Sequence, residues 1–443
     1  MSVSSARRAL VVGLGASGVG AVQLLLTQGY QVVANDHTPP ERFTLPPGAF
    51  PDGVEVVLGG HPPSLLDGVM LVVASPGVPP DLPLLAEARR RGLEVIAEVE
   101  LAWRALAAVP LLAITGSNGK STVTNMLGAI LQHAGLRTAV GGNIGRAASE
   151  LAQHPDWQAI VLELSSFQLE GCTTLRPTVG VLLNLCPDHL DRHPDMASYL
   201  AAKARLFERQ GPDDVAVLNA DDPAVRHLEV PGQRALFSLT DTSAAAHLDG
   251  EYLVVDGKRL MRRADVRLLG DHNLANALAA ALAALRFGVS AQAAAYALST
   301  FSALPHRHQL VAERRGVRWV DDSKGTNVGA TAAGLAGYPP GTVHLILGGL
   351  GKGQDFTPLR GAVTGRVARA YLIGAAAEEI ATALAGAVPV EHCGTLAAAV
   401  ASAAAQARPG DTVLLSPACA SFDQFRDFAH RGDEFARLAG EVM

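Results

Sequence analysis

Cysteine is scarce: the 443 residues hold four, Cys172, Cys186, Cys393 and Cys419, far apart and without a CxxC spacing. That argues against a disulfide framework, and all four are expected to be reduced, small and buried. Surplus positive charge is also lacking. With 36 Lys and Arg against 42 Asp and Glu, the formal net charge is −6, so little is available to neutralise a phosphate backbone or an anionic bilayer. No nucleic-acid partner is expected. Long apolar runs are missing as well: the most apolar helical stretch, Ala275 to Leu285, is alanine-rich and far short of the roughly 20 residues that span a membrane. The segment Met1 to Arg8 is polar, and the apolar run behind it is broken by Gly13 and Gly15 before it resembles an export signal. A cytoplasmic chain without a membrane span is the expectation. Internal repeats and low-complexity tracts, beyond alanine-rich helices such as Ala397 to Gln406, are absent too.

What is present is the profile of a loop-punctuated globular enzyme, 49% hydrophobic with 45 Gly and 26 Pro. The length suggests about three domains, and a monomer is expected. Three segments each open with a short β-branched run, a glycine-rich or polar turn and a helical pattern, the mark of parallel βαβ units. The fold class is therefore α/β, three domains in series, with boundaries set at 1–98, 99–303 and 304–443. The first is Rossmann-like, with strands expected at Ala9 to Val12, Val32 to Asn35, Val54 to Leu58 and Val69 to Ala74. The second follows a linking helix, Leu101 to Ala108, and enters a phosphate-loop motif through a buried strand, Leu111 to Thr115. Further strands are expected there at Ala159 to Leu164, Val179 to Asn184 and Val215 to Asn219, and a hairpin around Asp256-Gly257. The third, also Rossmann-like, has strands at Val317 to Asp321, Val343 to Leu347, Ala370 to Ile373 and Thr412 to Leu415.

Gly13-Leu14-Gly15-Ala16-Ser17-Gly18 follows a strand and opens a helix, so a diphosphate can approach the backbone amides at the helix start. Asp36 ends the next strand, where a carboxylate can meet a ribose or base. The motif alone does not separate NAD from UDP. Downstream, Thr115-Gly116-Ser117-Asn118-Gly119-Lys120-Ser121-Thr122 supplies amides and the Lys120 ammonium for phosphates, with the Ser121 hydroxyl for Mg²⁺. This points to ATP. Ile114 stands where the general phosphate-loop pattern has its first glycine, so the loop is a shorter variant. Glu163, directly after a strand, is a hard oxygen ligand for Mg²⁺ or else a helix-terminal carboxylate. In Asp188-His189-Leu190-Asp191-Arg192-His193 the two histidines are four apart, but no third soft ligand is near and zinc is not expected. Lys203, on sequence physics alone, is an ordinary exposed helix lysine. Asn273 and Asn276 precede an alanine-rich helix, as adenine contacts or as caps.

These stretches, from GLGASG through TGSNGKST, GGNIG, ELSSFQLE, DHLDRH, DDSKGTN and SPACASFDQF, span essentially the whole chain. Together they resemble the Mur ligase and folylpolyglutamate synthetase superfamily, and the last segment resembles its D-glutamate-adding members. The resemblance implies an ATP-dependent amide ligase of peptidoglycan precursor synthesis, joining D-glutamate to UDP-N-acetylmuramoyl-L-alanine through an acyl phosphate. The alternative is another amino acid at the same step chemistry.

It further implies that the first domain takes UDP rather than NAD, through Gly15, Ala16, Ser17, Asp36, His37, Ser75 and Gly77, with Asn143 at the acyl end. ATP would be held by Gly116 to Thr122 together with Asn273, Asn276, Arg307 and Asp322. Lys120, His189, Lys203 and Lys324 would be catalytic. Two Mg²⁺ ions would be held through Ser121, Glu163, His189 and a carbamylated Lys203. The amino acid would meet Thr326, Lys352, Ser421 and Phe428. The family pattern has Asp where Leu350 stands in Gly348-Gly349-Leu350-Gly351-Lys352-Gly353, which puts the hydrogen bonding of that turn in doubt. An NAD-dependent oxidoreductase and a non-catalytic ATP-binding module are the rivals, each supported by one glycine motif only.

Overall fold

Three sheets follow one another along the chain in a computed structural model that describes residues 7–45, 48–51, 53–106, 108–154, 156–188, 192–268, 270–302 and 304–442. The first is all parallel, in the order Glu55–Leu58, Gln31–Asp36, Arg8–Val12, Leu71–Ala74, Glu94–Ala97. The order reverses between Arg8–Val12 and Leu71–Ala74, so a crevice opens at the carboxyl ends of those two strands, where this architecture receives ligands. The strands are buried on both faces. Ala9 and Val11 join one apolar layer while Leu10 and Val12 join the other, which is why the runs read as continuously apolar rather than alternating.

The second sheet has nine strands, running from Thr138–Gly142 at one edge through Ala159–Glu163, Leu111–Thr115, Val179–Leu182, Val215–Asn219 and Gln233–Ser238 to Ala246–Asp249. An antiparallel hairpin, Tyr252–Val255 and Lys258–Arg262, completes it around the Asp256-Gly257 turn. Its helices Lys120–His133 and Asp271–Phe287 pack together on one face through Val123, Leu127, Ile130, Leu278 and Leu282. Alanine at 275, 277, 279–281, 283 and 284 lets that helix lie close to the sheet.

The third sheet is parallel, Thr412–Leu415 between Val317–Asp321 and Val343–Gly348, then Val367–Ile373 and Val390–Gly394, with Gln309–Arg314 antiparallel at the edge. Several strands escaped the sequence reading, among them Glu94–Ala97, Thr138–Gly142, Gln309–Arg314 and Val390–Gly394, which lie at sheet edges. These strands are short, and glycines or isolated polar residues interrupt or bound their apolar runs, so their pattern is weak. One expectation about cysteine is corrected: Cys172 and Cys419 are buried, but Cys186 and Cys393 are partly exposed. Among the described residues no helix is long and apolar enough to cross a membrane.

The first two sheets are pinned together at Glu98, which opens the linking helix Glu98–Leu106. Its buried carboxylate accepts the amide of Ser149 at 2.6 Å, and the Ser149 hydroxyl lies where a side chain at Gly20 would have to go.

Candidate active site

The strand Leu111–Thr115 delivers the chain into the phosphate loop, and Gly119, at φ +85°, turns it into the helix Lys120–His133. No side chain caps that helix. Its first amides are therefore open to an anion, and the helix dipole favours one there. Lys120 Nζ donates to the carbonyls of Gly116 and Ser117, both at 2.8 Å, and Lys203 Nζ donates to the same Gly116 carbonyl at 2.9 Å. Burial is the main cause holding both ammonium groups below the ordinary lysine value; for Lys203 the neighbouring Lys120 charge adds to it. Lys203 is 1% exposed and packs over the Tyr199 ring, which corrects the reading of an exposed helix lysine.

Glu163 ends the strand Ala159–Glu163, next to the loop strand. Its two oxygens are used differently: Oε2 accepts the Ser121 hydroxyl at 2.6 Å, and Oε1 accepts Asn143 Nδ2 at 2.9 Å. It caps no helix, since the following helix Ser166–Glu170 is capped by Ser165. From the third sheet's side, Arg307 Nη2 donates to the same Ser121 hydroxyl at 2.8 Å. Asp322 stands beside it, its carboxylate taking His308 Nδ1 at 3.1 Å and the Ser416 hydroxyl at 2.7 Å. Burial works against the charge on Asp322, yet His308, Ser416 and Arg307 outweigh it and hold its pKa down.

Lys120, Ser121, Asn143, Glu163, Arg307, His308 and Asp322 line one cavity of about 570 Å³ at the junction of the second and third sheets, with Ser117, Asn118, Gly119, Thr122, Asn273, Asn276, Lys324 and Thr326; Lys203, bonded to the loop's Gly116 carbonyl, does not itself line it. Asn273 and Asn276 lie inside the helix Asp271–Phe287, whose N-cap is Gly270, so neither is a cap; Asn276 donates to Asn273 at 3.2 Å. Phe237, Leu239 and Leu268 give the cavity an apolar stretch, as a nucleotide base requires.

Across this geometry the sequence matches three family descriptions in series: Mur ligase MurD-like N-terminal domain over 7–97, Mur ligase middle domain over 114–284, and Mur ligase glutamate ligase domain over 306–419. A UDP-N-acetylmuramoylalanine–D-glutamate ligase of Myxococcus xanthus is 47% identical, with 98% of each chain covered. The enzyme of the same name from Pectobacterium atrosepticum is 43% identical, again over 98% of each. This chain belongs to the Mur ligase family. Solved structures agree at the level of fold. A UDP-N-acetylmuramate–alanine ligase of Thermotoga maritima superposes with a TM-score of 0.63 at 18% identity, over 98% of this chain and 100% of that one. A pseudomurein peptide ligase of Methanothermus fervidus gives 0.63 at 19%, over 99% and 100%.

Elsewhere in this Mur ligase the residues singled out by sequence fall into two further groups. Gly15, Ala16 and Ser17 start the helix Ala16–Thr27 at the crevice of the first sheet, with Ser75 and Gly77 after the strand Leu71–Ala74 and Asp36 at the end of Gln31–Asp36. Asp36 already has work there: it accepts the Leu14 amide at 2.7 Å and both the amide and hydroxyl of Thr38, and His37 lies exposed beside it. Asn143 is not in that crevice but in the phosphate cavity, next to Glu163.

Of the amino-acid group, Thr326 lines the cavity, while Phe428 reaches it through Lys324, whose Nζ sits 4.0 Å from the ring centre. Burial lowers the Lys324 pKa to about 8. Ser421 is buried and Lys352 exposed; neither lines the cavity, and they flank the Leu350–Ala420 bridge. That bridge resolves the Leu350 departure. The Leu350 amide donates to Ala420 at 2.8 Å, the Ala420 amide returns at 3.0 Å, and Ala376 donates to Gly349, so backbone groups alone hold the turn. His189 lies outside the described residues.

Sequence reading passed over several cavity residues: Asp188, Asn184, Cys186, His272, His308 and Asn327. Asp188 and Asn327 lie within the DHLDRH and DDSKGTN motifs. His308, immediately after Arg307, gave no signal, because only the tertiary fold brings it to Asp322.

Proposed function

We propose that this Mur ligase joins D-glutamate to UDP-N-acetylmuramoyl-L-alanine with consumption of ATP, in peptidoglycan precursor synthesis. The observation that carries the reading is the single cavity in which a phosphate loop meets Glu163 and Asn143 on one side and Arg307, Lys324 and Thr326 on the other. The names of relatives 43–47% identical over nearly the whole chain support the choice of D-glutamate. In this reading residues 1–98 hold the UDP end, 99–303 hold ATP and 304–443 hold the amino acid. The protein acts in the cytoplasm as a monomer.

A carboxylate resists attack by an amine, so the L-alanine carboxylate oxygen first bonds to the γ-phosphorus as the γ–β bridging bond breaks and ADP leaves. The D-glutamate amine then attacks the acyl carbon, loses a proton and expels phosphate. Lys120 and Arg307, both half-buried at the cavity wall, set two cations where charge develops on the phosphoryl oxygens. Asn143 orients the acyl end, and Asn273 and Asn276 the base. Thr326, Lys352, Ser421 and Phe428 hold the amino acid, with Lys324 and Lys120 as catalytic cations. His189 is assigned as base or metal ligand.

The Ser121 hydroxyl and Glu163 carboxylate, 2.6 Å apart, are two hard oxygen donors. They suit Mg²⁺, which takes few protein ligands and completes its shell with phosphate and water. Bound there, Mg²⁺ would polarise and neutralise the phosphate oxygens. A second site through carbamylated Lys203 is favoured by burial, since CO₂ adds to the neutral amine and the product replaces a cation next to Lys120 by an anion. Phosphate release by the purified protein with Mg-ATP and UDP-N-acetylmuramoyl-L-alanine tests the assignment. D-glutamate alone should support turnover among D-glutamate, L-glutamate, L-alanine and meso-diaminopimelate. Turnover with a different acceptor would move the assignment within the family, and none with any would overturn it.

A further inference from the structure

The tip of the phosphate loop is gripped from two domains at once. The Asn118 backbone is clamped from its own domain by Asn184, whose side chain accepts the Asn118 amide at 2.8 Å and donates to its carbonyl at 3.0 Å. The Asn118 side chain donates to Cys186 Sγ of its own domain at 3.1 Å and otherwise faces the third sheet's domain. There it forms a reciprocal amide pair with Asn327: Asn327 Nδ2 donates to Asn118 Oδ1 at 3.2 Å, and Asn118 Nδ2 approaches Asn327 Oδ1 at 3.4 Å. Asn327 Nδ2 also donates to Asp188 Oδ2 at 3.1 Å. Asn327 is 4% exposed and Asn118 half-buried at the cavity wall, so the bonds are partly shielded from water.

The loop behind Asn327 is stiff. Gly325 donates to the Asp322 carbonyl at 2.8 Å, Thr326 to Lys324 at 2.9 Å and Lys324 to His306 at 3.1 Å, while Ala418 donates to Gly325 at 2.9 Å. A displacement at Asn327 is therefore carried to Lys324 and Thr326 and, through Ala418, to the segment that bears Ser421. Another bond across the junction, Arg307 to Ser121, involves a hydroxyl that phosphate or Mg²⁺ will claim. Asn327 has no such second duty toward phosphate or Mg²⁺, and it meets Asn118 of the phosphate loop through the side chain alone.

We propose that Asn327 is a positioning residue that sets the register of the amino-acid loop on the phosphate loop, so that the acceptor pocket is assembled by its contact with Asn118 and Asp188. The acceptor side of this proposal rests on the function argued above. Asn327 also caps the helix Val328–Leu335 through the Ala330 amide at 2.8 Å, and the variants must separate that role. Asn327→Ser keeps a capping hydroxyl but cannot reach Asn118 or Asp188. Asn327→Asp keeps an excellent cap and the original reach, but sets a carboxylate against Asp188 in place of a donor.

In the full chain, Asn327→Ser should raise the KM for D-glutamate and lower kcat by about tenfold each, in the range of inter-site coupling. The KM for ATP should stay within about twofold, since no nucleotide contact is removed. Asn327→Asp should be worse than Asn327→Ser, whereas capping alone makes the two about equal. Small-angle scattering supplies an arm independent of turnover: without ligand, both variants should have a larger radius of gyration than the parent. Unchanged scattering with unchanged acceptor KM overturns the proposal, and so does a milder Asp than Ser variant. If the parent chain turns over no acceptor, the functional assignment fails, and the scattering arm alone decides this one.

Discussion

Replacing Gly15 by alanine separates a glycine needed by the fold from one needed by a ligand. A Cβ at Gly18 would sit 1.8 Å from the Gly13 carbonyl oxygen, so Gly18→Ala cannot be built without moving the turn. At Gly15 the same addition meets nothing within 4 Å, and the backbone, at φ −68°, is open to any residue. Losing a Gly N-cap costs roughly 0.5–1 kcal/mol, and the lower unfolded-state entropy of alanine returns about 0.4–1 kcal/mol. The net change in stability should be within about 0.5 kcal/mol. If a diphosphate seats on this helix start, however, the methyl group stands in its path. The loss of one charge-assisted amide bond then costs about 1.5–3 kcal/mol, a rise of about 10- to 150-fold in the KM for the UDP substrate. Thermal unfolding and substrate titrations at saturating ATP measure both quantities. A substrate KM within twofold of the parent, in a protein that melts normally, would refute the placement of UDP in the first crevice.

Gly119→Ala should act on ATP instead. It forces alanine into a left-handed conformation, at about 1–2 kcal/mol, and drives a methyl to 2.5 Å from Asn276 Oδ1; a lowered Tm with at least about a tenfold higher ATP KM, and an unaltered UDP-substrate Kd, is the expected pattern. Asp36→Asn should cost about 1–2 kcal/mol at neutral pH, because burial disfavours the carboxylate but the bonds from Leu14 and Thr38 outweigh it and lower its pKa. A group whose folded pKa is depressed stabilises above its unfolded value and loses that contribution as pH falls through the folded one, here below the ordinary 3.8. Acid unfolding curves should therefore be shallower below that pH in the variant than in the parent, and parallel curves would refute the sign. Leu350→Asp should leave stability unchanged and alter the amino-acid KM by under about threefold, since backbone bonds to Ala420 and Ala376 already hold the turn; a large gain would mean the side chain matters directly.

The strands at Leu111–Thr115, Val215–Asn219, Val317–Asp321 and Thr412–Leu415 were read to the residue. Buried parallel strands are apolar over most of both faces, so their runs stand out in sequence. The hairpin at Asp256-Gly257 was equally plain, because its turn demands particular residues. Edge strands were harder to read: Val390–Gly394 is half-exposed and mixed in composition, and Thr138–Gly142, though mostly buried, is short and ends in two glycines.

Local chemistry, then, was determined by the sequence: a glycine turn into a helix, a phosphate loop with its lysine, a carboxylate at a strand end. Each is set by residues within a few positions of one another. What only the tertiary structure decided is how distant groups are shared. Lys203 looked like a surface lysine until its ammonium proved buried against the Gly116 carbonyl. Asn143 belonged by motif to the acyl end and is held in place by Glu163. His308 found Asp322, and Asn327 found Asn118, 209 positions away. No periodicity records such pairings. They follow from which strand ends lie side by side and from the rule that a buried polar group must find a partner, and both are settled only when the chain has folded.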